Sequence, residues 1–139
     1  KNEIESFLKQ EKKSEKKSKI VILGFAFKGK PVTSDIRGSS TEIVVRYLRQ
    51  KGYKTIHGVD PAVHSYDITG LGVSHVRDIR KGIKDADVVL IMNNNPHFET
   101  LNMRLLLSSA KKPTLLFDTW GLYGVAEMGK VEGLHYVRL

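Results

Sequence analysis

The sequence predicts a doubly wound α/β domain, a mostly parallel sheet with helices on both faces, preceded by a charged N-terminal helix or linker. Three observations carry that reading. Short strand-like runs ("KIVILG", "KTIHGVD", "DVVLIM", "TLLFD") alternate with helical stretches along the chain, the pattern of a parallel sheet built from crossover units. Several of the runs are apolar throughout, as strands covered on both faces are. Each run also ends in glycine or a polar residue: Gly24, Asp60, Asn93 to Asn95, and Asp118. Ligands of such sheets sit outside the carboxyl ends of the strands. Ordinary turns use the same residue types, so position favours a site where composition alone does not.

At 139 residues the chain is one domain's worth and long enough to bury a substantial core. Its 40% hydrophobic and 27% charged residues are ordinary for a globular protein. The absence of cysteine excludes a disulfide frame, a thiolate metal site and a nucleophilic thiol. The longest apolar runs are too short for a membrane span. The opening is charged where a secretory signal is apolar, so the expected compartment is the cytoplasm. A start at Lys1 rather than methionine fits a piece of a larger protein, and equally processing or a choice of numbering.

A net charge of +8 raises the question of nucleic acid. Residues 1 to 19 hold seven lysines against four glutamates, so +3 of the excess lies there. Their large apolar residues are Ile4, Phe7 and Leu8. Residues 1 to 18 therefore read as the solvated end of a helix running into a linker, with too little apolar surface to dock firmly. The domain proper is 19 to 139. It is only modestly basic and lacks the aromatic-basic interleaving that stacks on single strands. Neither a nucleic-acid nor a membrane partner is expected.

Taken in order, "KIVILG" is the first strand. A helix follows over about residues 39 to 51, with Ser39 and Glu42 forming a capping box and Ile43, Val44, Tyr47 and Leu48 its apolar stripe. Gly52 is placed to end it. "KTIHGVD" is the second strand, closed by Pro61. Residues 62 to 76 read as loop with a short strand near "GVSHV". "DIRKGIKDA" is a helix capped by Asp78, with Ile79, Ile83 and Ala86 on one face. "DVVLIM" is the strongest strand signal. "NNNPHFETLNMRLLLSSA" starts a helix with Asn95 as cap and Pro96 in first position. "TLLFD" and "GLHYVRL" are the last two strands.

The turn after the first strand, "ILGFAFKGKPVTSDIRGSS", fits two nucleotide patterns. Gly24 to Lys30 matches the start of a P-loop, but Pro31 follows, with neither the hydroxyl that binds magnesium nor an N–H. Gly24, Ala26 and Gly29 match a relaxed dinucleotide fingerprint. That motif needs its last glycine just inside a helix and an acidic residue about 20 positions on. Here ten loop residues follow Gly29, and Asp60 lies 36 residues from Gly24. The turn has been rebuilt. It carries Lys28, Lys30, Asp35 and Arg37, which suit a phosphate or carboxylate. They equally suit a charged surface loop in which Asp35 pairs with Arg37 or Lys28.

The same stretch resembles the opening of the C-terminal domain of the UDP-glucose/GDP-mannose dehydrogenase family. Gly24, Ala26, Phe27 and Lys28, then Asp35, Arg37 and Ser39, stand where that family has Gly-x-Ala-Phe-Lys and Asp-x-Arg-x-Ser. The likeness continues through Asp60-Pro61, "DADVVLIM" and "LLFD". It implies a Rossmann-like domain that holds the nucleotide end of a UDP-sugar. It also implies N-terminal NAD-binding and central domains elsewhere in the chain, and a homodimer in the full enzyme. The family oxidises a sugar C6 alcohol to a carboxylate in two NAD-dependent steps, using a cysteine outside this domain. No catalytic residue is therefore expected here, and the fragment alone should be inactive.

Position by position, the resemblance assigns Phe27 and Lys28 to the sugar nucleotide and Arg37 to the NAD held by the other domain. Two departures stand out. The loop from Lys28 to Arg37 is longer than in the UDP-glucose enzymes, which is more like the branch acting on UDP-N-acetylamino sugars. "DTW" replaces a common Asp-Gly-Arg, so Trp120 stands where an arginine would touch substrate. It either stacks on a base or sugar, or packs. The histidines 57, 64, 75, 97 and 135 show no ligand spacing, so no metal is expected. A stand-alone nucleotide-binding or regulatory module is the alternative reading.

Overall fold

The computed structural model describes residues 2–139. Helix α1 (Asn2–Gln10) leads into β1 (Lys19–Leu23), and β1 into α2 (Ser40–Gln50) and β2 (Thr55–Val59). Then come α3 (Ser65–Thr69), β3 (Ser74–His75), α4 (Ile79–Ile83) and β4 (Val88–Ile91). The chain closes with α5 (Pro96–Glu99), α6 (Met103–Leu107), β5 (Thr114–Asp118), α7 (Val125–Met128) and β6 (Leu134–Arg138). The six strands form one sheet in the order β3-β2-β1-β4-β5-β6. Every pairing is parallel. The order reverses between β1 and β4, so the crevice at their carboxyl ends is the natural ligand position.

β1 shows why its sequence is apolar throughout. Ile20 and Ile22 belong to one core, Val21 and Leu23 to the other, and all four are fully buried. The first core packs α1 and α2 on the sheet, and the second packs α4 to α7 against the opposite face. That is the expected doubly wound arrangement.

α1 departs from the sequence reading. Ile4, Phe7 and Leu8 are only 3–4% exposed and join the first core. Their i, i+3, i+4 spacing gathers all the segment's apolar surface on one stripe, so a few residues suffice to dock a short helix. Glu5 accepts the Tyr47 hydroxyl of α2. The exit from α1 is held too: Asp87, buried before β4, pairs with Lys13 and accepts the Lys19 backbone N–H at 2.8 Å.

Ser39 caps α2 as expected, its hydroxyl accepting the Thr41 N–H at 3.1 Å. The capping box does not close. The Ser39 N–H donates to the Ile36 carbonyl, and Glu42 pairs with Arg46 at 3.3 Å. The buried stripe of α2 is Thr41, Val45 and Leu48, whereas Ile43 is exposed. Asn95 and Pro96 open α5, but the helix stops at Glu99, and α6 starts afresh under an Asn102 cap. α3 and α7, single turns without apolar periodicity, were not legible.

Candidate functional site

The rebuilt turn wraps the carboxyl ends of β1 and β4. Gly24, at φ +104°, could carry no side chain: a Cβ there would stand 2.7 Å from Asn93 Cγ. A Cβ on Gly29 would fall 2.2 Å from the Asn95 backbone nitrogen. The two glycines thus let the loop lie directly on the turn after β4. Asn93, fully buried there, donates from Nδ2 to the Ala26 carbonyl at 3.3 Å and accepts the Asn95 N–H at 3.1 Å. The Thr41 hydroxyl donates to the Gly24 carbonyl at 2.8 Å, binding the start of α2 to the same turn.

Asp60 explains why the glycine pattern lost its dinucleotide geometry. At the end of β2 such sheets place an acidic residue facing a ribose. Here the carboxylate is buried and turned onto the backbone. Oδ2 accepts the N–H of Phe25 at 2.7 Å and of Ala26 at 3.1 Å, and Oδ1 that of Ala62 at 2.9 Å. The amides that would face a pyrophosphate are already satisfied by an internal anion. An incoming phosphate would have to displace a charge-assisted contact inside a buried site. The turn does not fit a dinucleotide pyrophosphate.

Asp118 is likewise inward. It is fully buried, with Oδ1 accepting the Trp120 N–H at 3.1 Å and Oδ2 the Tyr123 N–H at 3.3 Å. The Tyr136 hydroxyl lies 2.8 Å from Oδ2, and burial and this carboxylate together push its ionisation far up. Asp60, Asn93, Asn95 and Asp118 therefore stabilise the rim itself, which corrects the reading of them as ligand-facing tips.

What the rim presents outward is Phe27, Lys28 and Trp120. Phe27 is 46% exposed and its N–H donates to the Asp35 carbonyl at 2.9 Å. Half-buried Lys28 holds its Nζ 5.2 Å from the Phe27 ring centre, a cation–π contact that aims an ammonium along an exposed aromatic face. Trp120 is 51% exposed across β4, its indole Nε1–H donating to the Met92 carbonyl at 3.3 Å. That bond fixes the ring over the tip of β4, between the β1 loop and the β5 exit.

The other loop charges are engaged. Lys30 pairs with Glu99 of α5 at 2.6 Å. Arg37 forks onto Asp35, with Nε 2.9 Å from Oδ1 and the second nitrogen 2.7 Å from Oδ2. Hydrogen bonds from the Arg37 side chain and backbone hold the Asp35 carboxyl down at about 2. The pair is exposed, so Arg37 is free to exchange Asp35 for another anion at small cost. The sequence places Asn93 and Asp60 at strand ends but does not show that both turn inward. The Asp-Pro after β2 and the asparagine run after β4 were the only signals.

Residues 21–125 match the family model described as UDP-glucose/GDP-mannose dehydrogenase family, UDP binding domain. No curated protein sequence is significantly similar to the chain. Among solved structures, the chain resembles the UDP-D-ManNAc dehydrogenase of Pyrococcus horikoshii, with TM-score 0.76 and 20% identity over 97% of this chain and 28% of that one. It resembles the UDP-N-acetyl-mannosamine dehydrogenase of Staphylococcus aureus with TM-score 0.68 and 23% identity, over 99% of this chain and 30% of that one. For the NDP-N-acetyl-D-galactosaminuronic acid dehydrogenase of Methanosarcina mazei Go1 the values are 0.76 and 22%, over 99% and 27%. At these identities the likenesses establish the fold. The chain spans less than a third of each. The match over most of the domain places this chain in the UDP-glucose/GDP-mannose dehydrogenase family, as its UDP binding domain.

Proposed function

We propose that the chain holds the UDP end of a sugar nucleotide for an NAD-dependent UDP-sugar 6-dehydrogenase, whose catalytic parts lie elsewhere in the full protein. The observation that carries this is the pairing of Phe27 and Lys28 on a rim whose own amides Asp60 has sealed. Such a rim recognises a diphosphate with side-chain charge rather than with a cradle of helix-start amides. Lys28 supplies the ammonium, Phe27 and Trp120 supply flat apolar faces for ribose or base, and Arg37 is the exposed fork that meets the NAD of the other domain. NAD supplies the hydride acceptor. This chain's part is to bind and orient the substrate, and α1 is the end of the inter-domain helix.

The solved relatives named for N-acetylated sugar nucleotides, together with the long loop from Lys28 to Arg37, support a UDP-N-acetylamino sugar as substrate. The full enzyme is proposed to act as a cytoplasmic homodimer. Titration calorimetry of the 139-residue chain with UDP, UDP-N-acetylmannosamine, UDP-glucose and ADP tests the reading. Saturable binding of the uridine compounds over ADP is expected, with no NAD reduction by any of them. Equal binding of ADP and UDP, or turnover by this chain, would overturn it.

A further inference from the structure

A second cleft, of about 350 Å³, opens at the carboxyl ends of β2 and β3. Its walls include His64, Ser65, His75, Arg77 and His97, with Asp60 at its inner end, and none of Phe27, Lys28 or Trp120. Five different stretches of chain contribute: the exit of β2, the start of α3, β3, the residue before the α4 cap, and α5. The His64 ring is fixed by stacking on Tyr66, with centres 5.1 Å apart and planes 7° apart. His97 is set against Phe98 at 6.3 Å.

The hydrogen-bonding groups of this cleft are weighted toward donors. Arg37, Arg46 and Arg80 each hold a nearby carboxylate, at 2.7, 3.3 and 3.1 Å, while Arg49 and Arg138 donate to backbone carbonyls. Arg77 has no such partner among the described residues. The one carboxylate in the wall, Asp60, is committed to three backbone N–H groups. A guanidinium fork and three imidazoles, each with a ring N–H to donate, thus line a space whose one carboxylate is already committed. A metal site is not the answer, because no three His, Asp or Glu residues among those described converge on a common point. An excess of donors around a cleft of small-ligand size matches the oxygens of a phosphate.

Topology points the same way. At the end of β2 a dinucleotide-binding sheet places the sugar of its nucleotide, and a nearby arginine there accommodates a phosphate on that sugar. In this chain Asp60 has turned away to seal the glycine turn, which leaves the outer part of that position to Arg77 and the imidazoles. We propose that the β2–β3 cleft is a separate phosphate-monoester site, with Arg77 as its anchoring fork and His64, His75 and His97 as additional donors. It is independent of the diphosphate rim and does not depend on the function proposed for that rim.

The test is a titration of the 139-residue chain with inorganic phosphate and, separately, with adenosine monophosphate, following all five histidine side chains by NMR. Saturable shifts of His64, His75 and His97 are expected, with His57 and His135 unmoved. Arg77 is exposed and unpaired, so Arg77→Gln should fold normally and weaken phosphate about tenfold or more, the effect of losing a charge-assisted contact. Arg77→Lys should retain part of the affinity, and Lys28→Ala should leave it unchanged. A nucleotide more than about tenfold tighter than phosphate identifies a nucleotide as the ligand. Equal affinities identify free phosphate. The proposal is overturned if the three histidines do not shift, if all five shift alike, if Arg77→Gln binds normally, or if Lys28→Ala abolishes the effect.

Discussion

Replacing Asp60 probes the sealed turn directly. Its carboxylate accepts three backbone N–H groups at 2.7, 3.1 and 2.9 Å. Phe25 and Ala26 are 1% and 4% exposed, so water cannot take over their donors, whereas Ala62 is half-buried and can be rehydrated. Two buried N–H groups stripped of a charged acceptor cost about 1.5–3 kcal/mol each, so Asp60→Ala should lose about 3–6 kcal/mol. That is a large part of the stability of an ordinary domain, about 5–15 kcal/mol. Asp60→Asn keeps one oxygen for Phe25 and Ala26 but turns an NH2 toward the Ala62 N–H, and should lose only about 1–3 kcal/mol. Urea unfolding measures both. Sulfate or phosphate should also stabilise Asp60→Ala more than the parent, because the vacated amides become an anion site. A loss under about 1 kcal/mol for Asp60→Ala would refute the clamp.

Other outcomes follow from the same geometry. Lys28→Ala should weaken UDP about tenfold to hundredfold, measured by calorimetry, if its ammonium contacts the diphosphate. Phe7→Ala should destabilise by about 3–5 kcal/mol in urea unfolding, since the ring fills a closed part of the core; an unchanged midpoint would restore a loosely tethered N-terminal helix. Gly29→Ala cannot be accommodated at 2.2 Å from the Asn95 nitrogen and should lower both thermal stability and UDP affinity. Burial, helped by nearby Lys19, holds the His57 imidazole below its usual range. The unfolded chain then takes up more protons than the folded one as pH falls below about 6.5, so stability is complete above that pH and declines beneath it. His57→Gln should flatten that decline in melting temperatures compared at neutral and mildly acidic pH.

The doubly wound class was legible because its signals are local. The apolar run of β1 records burial on two faces, and Ser39, Asp78, Asn95 and Gly52 mark helix ends with single residues. α1 was misjudged because the count of apolar residues was weighed rather than their spacing, which puts Ile4, Phe7 and Leu8 on one stripe. α3 and α7 are one turn each, too short for any periodicity. At the candidate site, the family resemblance singles out Phe27, Lys28 and Trp120, and the structure places Phe27 and Trp120 exposed and Lys28 half-buried at the rim. The inward turn of Asp60 was not legible, because a carboxylate after a strand looks the same in sequence whether it faces a ribose or its own backbone. Only the 2.7 Å contact to the Phe25 N–H separates the two.

In the proposed function side chains, not backbone amides, meet the diphosphate. The most direct test is an NMR titration of the chain with UDP that follows backbone amides together with the Lys28 ammonium and the Trp120 indole N–H. The Phe25 and Ala26 amides should barely move, being held by Asp60 throughout, while Phe27, Lys28 and the indole shift to saturation. The largest shifts at the Phe25 and Ala26 amides, with Lys28 unmoved, would contradict the proposal.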